Sequence, residues 1–345
     1  MKDLAIVNVQ YFLNSKNIAS CGLSKWCFSA KSFTNLPFLD SDALVITNKP
    51  KYVKAVCKGL YTIPINKNLE KSVMLWIENR SRDKISRTHL QSIEFSGANL
   101  MKWQTLSLIM YRAVLLIDID VDLFLNSRGV LPSLGTPERD VLDDTWNNKF
   151  RYFLNSSDDL VVTADIHSPI NGGIILLKPC LYLFKKGIQV IENRQWSESY
   201  GFNHVGKPRN LLKNVIEAHK SRMWRHNTWN FVTADGDQGL FVYIYLIEMG
   251  GNVRWKKSSN LKVNHFFYGH KPWRPATRCA LYFDNFDKWA TPLDTKCWLL
   301  LKTKNICLNA NKTDIDTCKW CKKKHHKSAC ERPSHCGKET SMRIL

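Results

Sequence analysis

The chain has 345 residues, 44 % of them apolar and 23 % charged, and a formal net charge of +20. This composition excludes a disordered polypeptide, and no apolar run approaches the roughly 18 residues of a membrane span. The positive excess favours phosphate-bearing, membrane-surface or nucleic-acid partners, but it is scattered rather than striped, so nucleic acid is not the expected partner.

The chain opens Met-Lys-Asp and runs directly into Leu4 to Val9, which reads as a strand. That run is too short for a secretory leader and no small-residue cleavage site follows it, so the expectation is a cytoplasmic chain. The lumen of the secretory pathway is the alternative for a sequence that continues upstream. Leu23 to Phe33 has helical spacing, Asp42 to Thr47 reads as a strand, Lys51 to Gly59 as a helix, and Leu60 to Ile65 as the next strand. Strand alternating with helix is the rhythm of a mostly parallel sheet covered on both faces. Leu100 to Met110 predicts an amphipathic helix that feeds Arg112-Ala-Val-Leu-Leu-Ile117, a continuous apolar run of the kind buried on both faces.

That strand stops at Asp118-Ile-Asp120. In open α/β sheets ligands bind beyond the carboxyl ends of strands, and two hard carboxylates there can hold one divalent cation. Such a cation neutralises the charge that develops as a pyrophosphate departs. The other reading is a solvated turn, and Asp122 is a lesser third acid. Gly135 to Ser157 is polar and predicts a loop or short helix. Leu160 to Ala164 and Gly172 to Leu177 predict strands, and Leu181 to Glu192 a helix. Asn171-Gly172-Gly173 precedes the second of these strands; paired glycines let backbone approach a ligand, or make a plain turn. Gly201 to Asn227 is basic and aromatic and reads as an insertion. Asp237-Gln238-Gly239 opens the apolar run up to Met249; its acid and amide can position a polyol, or Asp235 or Asp237 can cap a helix. His265-Phe-Phe-Tyr-Gly-His-Lys271-Pro-Trp273 offers an imidazole for a carboxylate metal site and an ammonium for a phosphate.

The order Asp-x-Asp, Asn-Gly-Gly, Asp-Gln-Gly, His…Gly…Lys-Pro-Trp resembles the glycogenin-like retaining glycosyltransferases of family 8, over roughly residues 1 to 275. Lys102 stands before the buried strand where that family often carries a lysine. The resemblance implies an α/β GT-A fold, a Rossmann-like, mostly parallel central sheet flanked by helices, as in nucleotide-diphospho-sugar transferases. It implies a UDP-sugar donor and Mn²⁺, or Mg²⁺, bound by Asp118, Asp120 and His265. Lys271 would touch the diphosphate, with Gly269 nearby; Val9 and Tyr11 would meet the base. Asp165, Asn171, Gly172 and Gly173 would line the donor sugar, and Lys102 would lie near the donor. Asp237 and Gln238 would sit at the anomeric carbon, Asp237 as stabiliser or nucleophile and Gln238 as the orienting group. The chain departs from the family pattern in having two glycines after Asn171, where a small non-glycine residue usually follows the Asn, in Tyr268 before the shifted Gly269, and in Phe241 and Val242 where an Asn is usual.

Residues 1–290 would form the transferase domain, with the basic aromatic insertion at about 200–230, and residues 291–345 a basic Cys-rich extension. Of the eleven cysteines, Cys21, Cys27, Cys57, Cys180 and Cys279 are dispersed and read as core thiols. Cys318, Cys321, Cys330 and Cys336 stand among His325, His326 and His335; structural Zn²⁺, disulfides and free thiols all stay open for them. Two other functions compete. A nucleotide-sugar pyrophosphorylase would need a Gly-rich basic loop near the first strand, and Asn8 to Gly22 has no such pattern. A non-catalytic polyanion-binding protein would use the basic surface alone. The donor sugar, the acceptor (carbohydrate, protein or polyol) and a homodimeric state are not specified by these motifs.

Overall fold

The structure, a computed structural model, describes residues 1–13, 23, 26–27, 30–31, 34, 39–82, 93–123, 136–163, 168–193, 195–208, 228–231, 233–250, 252–256 and 263–265. A seven-stranded sheet forms the centre. Its strands are β1 (Lys2–Gln10), β2 (Ser41–Thr47), β3 (Tyr61–Pro64), β4 (Tyr111–Ile117), β6 (Leu160–Thr163), β7 (Ile174–Leu177) and β10 (Val253–Lys256). The order is β10-β6-β7-β4-β1-β2-β3, and two short two-stranded sheets pair β5 (Val121–Leu123) with β11 (Val263–His265) and β8 (Trp196–Ser197) with β9 (Gly201–Phe202). β4, β1, β2 and β3 run parallel, as do β6 and β10; β7 lies antiparallel between β4 and β6. The mostly parallel, helix-flanked sheet expected from the sequence is present.

The apolar strands are explained by cover on both faces. Ala5, Val7, Val114 and Leu116 point to one core, and Leu4, Ile6, Ala113, Leu115 and Ile117 to the other. The first core is closed by helices α2 (Lys67–Arg82), α3 (Ile93–Leu100) and α5 (Leu181–Asn193). The second is closed by α1 (Pro50–Val56) and α4 (Pro137–Asn155). The helix α6 (Asp237–Phe241) passes into a wider π-helical stretch, Val242–Glu248, also on the first core.

Three expectations are corrected here. The polar stretch from 135 to 157 is a long helix, α4. Pro137 is pre-organised for its first turn, and Trp146, Phe150 and Phe153 make a narrow buried stripe along an otherwise polar surface. The segment 100–110 is not an amphipathic α-helix but a 3₁₀ segment, Met101–Ser107. Met101 to Leu106 are all buried, so it has no solvent face for amphipathicity to report. Cys27 and Cys57 are not separate core thiols: they form a disulfide, with Cα atoms 5.4 Å apart, inside the second core. Cys180 is a free thiol.

Candidate active site

β4 delivers Asp118 to the carboxyl edge of the sheet, and the turn there is tight: the Val121 N–H donates to the Asp118 carbonyl at 3.1 Å. Where β1 and β4 part beyond the paired Val7 and Leu116, Asn8 bridges them. Its buried Nδ2 donates to the Ile117 carbonyl at 2.6 Å, and Gln10 Nε2 donates to Asn8 Oδ1 at 2.7 Å. The Asp118 N–H donates to the Gly173 carbonyl at 2.8 Å, tying this edge to the Asn-Gly-Gly turn. Asn171 spends its own side chain on that turn, its Oδ1 accepting from the Gly173 N–H at 2.7 Å.

Lys102 joins the motifs. Its Nζ donates to Asp118 Oδ2 at 2.8 Å and to the Gly172 carbonyl at 3.1 Å, and lies 3.1 Å from Asp237 Oδ2 as an ion pair. Burial pulls the Lys102 ammonium down, and the charges of Asp118 and Asp237 more than reverse it, leaving its pKa above the ordinary lysine value. It therefore stays charged. Asp237 is 2 % exposed, and its Oδ1 has no hydrogen-bond partner among the described residues. Gly172 admits this carboxylate: a Cβ there would stand 2.4 Å from Asp237 Oδ2 and 3.2 Å from Gln238 Cγ. The glycine is needed for an acid of the same chain.

The loop carrying Asp237 is braced from behind. Asp235 pairs with Arg80 at 3.3 Å and accepts from Ser96 Oγ at 3.1 Å. The Arg80 guanidinium lies 4.7 Å from the ring centre of Trp196, whose indole donates to the Ala234 carbonyl at 3.1 Å. Neither Asp235 nor Asp237 caps α6; the capping residue is Gly236, with no side-chain hydrogen bond. Arg80, Ser96 and Trp196 escaped the sequence reading because each is an unremarked residue whose partner is distant in the chain.

Asp120 is buried and Asp118 partly exposed. The strand β5 (Val121–Leu123) pairs antiparallel with β11 (Val263–His265), which sets His265 opposite Val121, the residue after Asp120. The three positions named as metal ligands thus meet at one edge along the backbone. The His265 side chain lies outside the described residues. Among the described residues no group of three His, Cys, Asp or Glu side chains forms a metal cluster by itself. Carboxylate oxygens are the donors a hard cation takes, and Asp118 and Asp237 bring two carboxylates to the one Lys102 ammonium, with the Oδ1 of Asp237 left without a donor among the described residues.

Val9 is buried near the end of β1, and Tyr11 just beyond it donates to Glu70 Oε1 at 2.9 Å. Burial and that carboxylate both push the Tyr11 phenol up. Gln238 is buried beside Gly172. Asp165, Gly269, Lys271, Cys318, Cys321, Cys330 and Cys336 lie outside the described residues. Among the described residues no helix is long and apolar enough to cross a membrane.

No protein-family model and no curated protein matches the sequence. Solved structures with a similar arrangement include mouse xyloside xylosyltransferase 1 in its apo form, at 10 % identity and a TM-score of 0.38, covering 78 % of this chain and 99 % of that one. The bifunctional IspDF of Campylobacter jejuni matches at 10 % identity and a TM-score of 0.33, over 78 % of this chain and 53 % of that one. The glycosyltransferase GlyE of Streptococcus pneumoniae matches at 11 % identity and a TM-score of 0.34, over 79 % of this chain and 56 % of that one. The chain spans little more than half the length of the latter two.

Proposed function

We propose that this chain is a retaining glycosyltransferase that moves a hexosyl or related group from a UDP-sugar to an acceptor hydroxyl, with Mn²⁺ bound at Asp118, Asp120 and His265. The observation that carries the reading is the Lys102 bridge. One buried ammonium holds both the Asp-x-Asp motif and the Asp-Gln-Gly motif, and touches the Asn-Gly-Gly turn.

Each residue has a role that follows from its place. Asp118 is fixed from two sides, through its N–H by Gly173 and through Oδ2 by Lys102, which leaves its other carboxylate oxygen for a ligand. The cation, when bound, would neutralise negative charge on the departing diphosphate. Asp237 is a desolvated carboxylate held rigid by Lys102, suited to stabilise positive charge developing at an anomeric carbon or to attack it. Gln238, buried on the same turn, would orient the donor sugar. Lys271 would hold the diphosphate as a point charge. The Cys27–Cys57 disulfide supports maturation in an oxidising compartment, hence the secretory lumen over the cytoplasm.

The test is a donor screen. The purified protein is incubated with each UDP-sugar and Mn²⁺, and UDP release is measured with and without EDTA. The expected result is release from one or two donors, abolished by EDTA and by Asp118→Asn in a protein that still melts cooperatively. Release from none, or full activity of Asp118→Asn, would remove the proposal.

A further inference from the structure

We propose that the second face of the sheet, between α4 and the β10 edge, holds a pocket for a single-chain amphipathic anion: an alkyl chain ending in a carboxylate. The pocket is separate from the Lys102 cluster, whose neighbours Trp103 and Phe241 belong to the first core. It goes beyond the transferase reading and does not depend on it.

The floor is a row of register partners. Leu115 of β4 stands opposite Leu176 of β7, Leu176 opposite Val161 of β6, and Val161 beside Arg254 of β10. Leu115, Leu176 and Val161 all face the second core. The two faces of these strands are not sealed equally. On the first face Val162, Ile175 and Leu177 are 0 % exposed, whereas on the second Val161 and Leu176 are 8 % exposed. The ceiling is α4, which sets only the aromatic stripe Trp146, Phe150 and Phe153 against this face. Its flank beside that stripe carries Asn148, Lys149 and Tyr152, which do not fill the space over the aliphatic floor. A cavity of about 420 Å³ lies between them. Small-molecule sites span about 300–1,000 Å³ and are lined mostly by apolar side chains with a few polar groups. An apolar cavity holds water poorly and takes apolar groups instead.

The charges at the mouth select the ligand. Lys149 and Arg254 are the charged residues among those described that line the cavity, and both are cations. The Lys149 Nζ lies 5.0 Å from the ring centre of Trp146 in the ceiling. Arg254 is half-buried, with its guanidinium 4.5 Å from the ring centre of exposed Tyr152. Asp158 pairs with Arg254 through Nε at 2.7 Å, and the two terminal nitrogens make no hydrogen bond among the described residues. One acid against two cations leaves the mouth positive. A guanidinium edge of this kind receives a carboxylate well. A bare hydrocarbon would leave these cations unused, and a compact anion such as phosphate would leave the aliphatic floor uncovered.

Calorimetric titration of the full chain with decanoate, hexanoate and decanol, each below its micelle or solubility limit, tests this. The expected result is one decanoate per chain, with affinity falling roughly fourfold for each methylene removed towards hexanoate. Lys149→Gln/Arg254→Gln should weaken decanoate roughly tenfold and leave decanol unchanged. Val161→Phe and Leu176→Phe each fill the cavity and should abolish binding of both ligands. Melting curves identify which of these two variants is folded, and that one decides. No binding of decanoate by the parent chain would overturn the proposal. So would decanoate binding that a folded cavity-filling variant retains, or that the charge variant leaves unchanged.

Discussion

Lys102 and Asp237 meet 3.1 Å apart although each comes from a different layer of the sequence, and both side chains are almost wholly withdrawn from water. An ion pair so placed has lost its hydration, so its two halves depend on one another. Removing one leaves an uncompensated charge, whereas removing both is mild. Lys102→Met should therefore destabilise the protein by about 3–5 kcal/mol. Adding Asp237→Asn to it should recover a large part of that loss without restoring activity. Chemical denaturation of the two single variants and the double variant measures the coupling directly.

Gly172 sets a steric limit on the same acid. A methyl group at this position must displace the Asp237 carboxylate, 2.4 Å away, and not merely a flexible chain end. Gly172→Ala should cost about 1–3 kcal/mol as an overpacking change. It should also lower UDP release much more than Gly236→Ala, where the nearest heavy atoms lie at 3.1 Å or beyond. Side-by-side melting and donor-hydrolysis assays check both halves.

Arg80 reaches the loop of Asp237 through Asp235 and through Trp196. Substituting Arg80→Met strands a carboxylate that is 13 % exposed, and about 3 kcal/mol of stability should go with it. If the brace holds Asp237 in place, a partially active Arg80→Lys protein should show a reduced kcat with an unchanged donor KM. A change confined to KM would assign Arg80 to donor binding instead.

The Cys27–Cys57 bridge closes a loop of sequence separation 30. On chain-entropy grounds it is worth about 2–4 kcal/mol. The melting temperature should fall when the folded protein is denatured in the presence of dithiothreitol, and Cys27→Ala/Cys57→Ala should fall to the same value. Intact mass under non-reducing conditions reads the bond itself.

Alkaline pH should unfold the protein over a defined range. Burial pushes Tyr245 and Tyr11 above the ordinary tyrosine value of 10.0, and Asp118 and Asp237 hold Lys102 above the ordinary lysine value of 10.5 despite its burial. Groups raised in the folded state contribute stability that is intact below their unfolded values and is lost as pH rises through the folded ones. The melting temperature should thus be unaffected by these groups below about pH 10 and fall steeply above it. Tyrosinate absorbance should appear together with the loss of circular dichroism, not before it.

Sequence alone determined the sheet and the position of Asp118 at its carboxyl edge. The apolar runs Leu4 to Val9 and Arg112 to Ile117 announce strands buried on both faces, because no polar alternation interrupts them. Asp118 is legible because an acid following such a run has nowhere to sit but the strand's carboxyl edge. The helix α4 was hidden by its polar surface, and the 3₁₀ segment around Lys102 by burial on every side, which erases the periodicity that marks a helix. Only the tertiary structure decided that Lys102 binds Asp118 and Asp237 together, that Gly172 makes room for a carboxylate, that Arg80 braces Asp235, and that Cys27 is bonded to Cys57. Local sequence encodes which residues are withdrawn from water through their spacing, but the pairing of distant charges and thiols is fixed by the packing of whole layers, and no local pattern carries it.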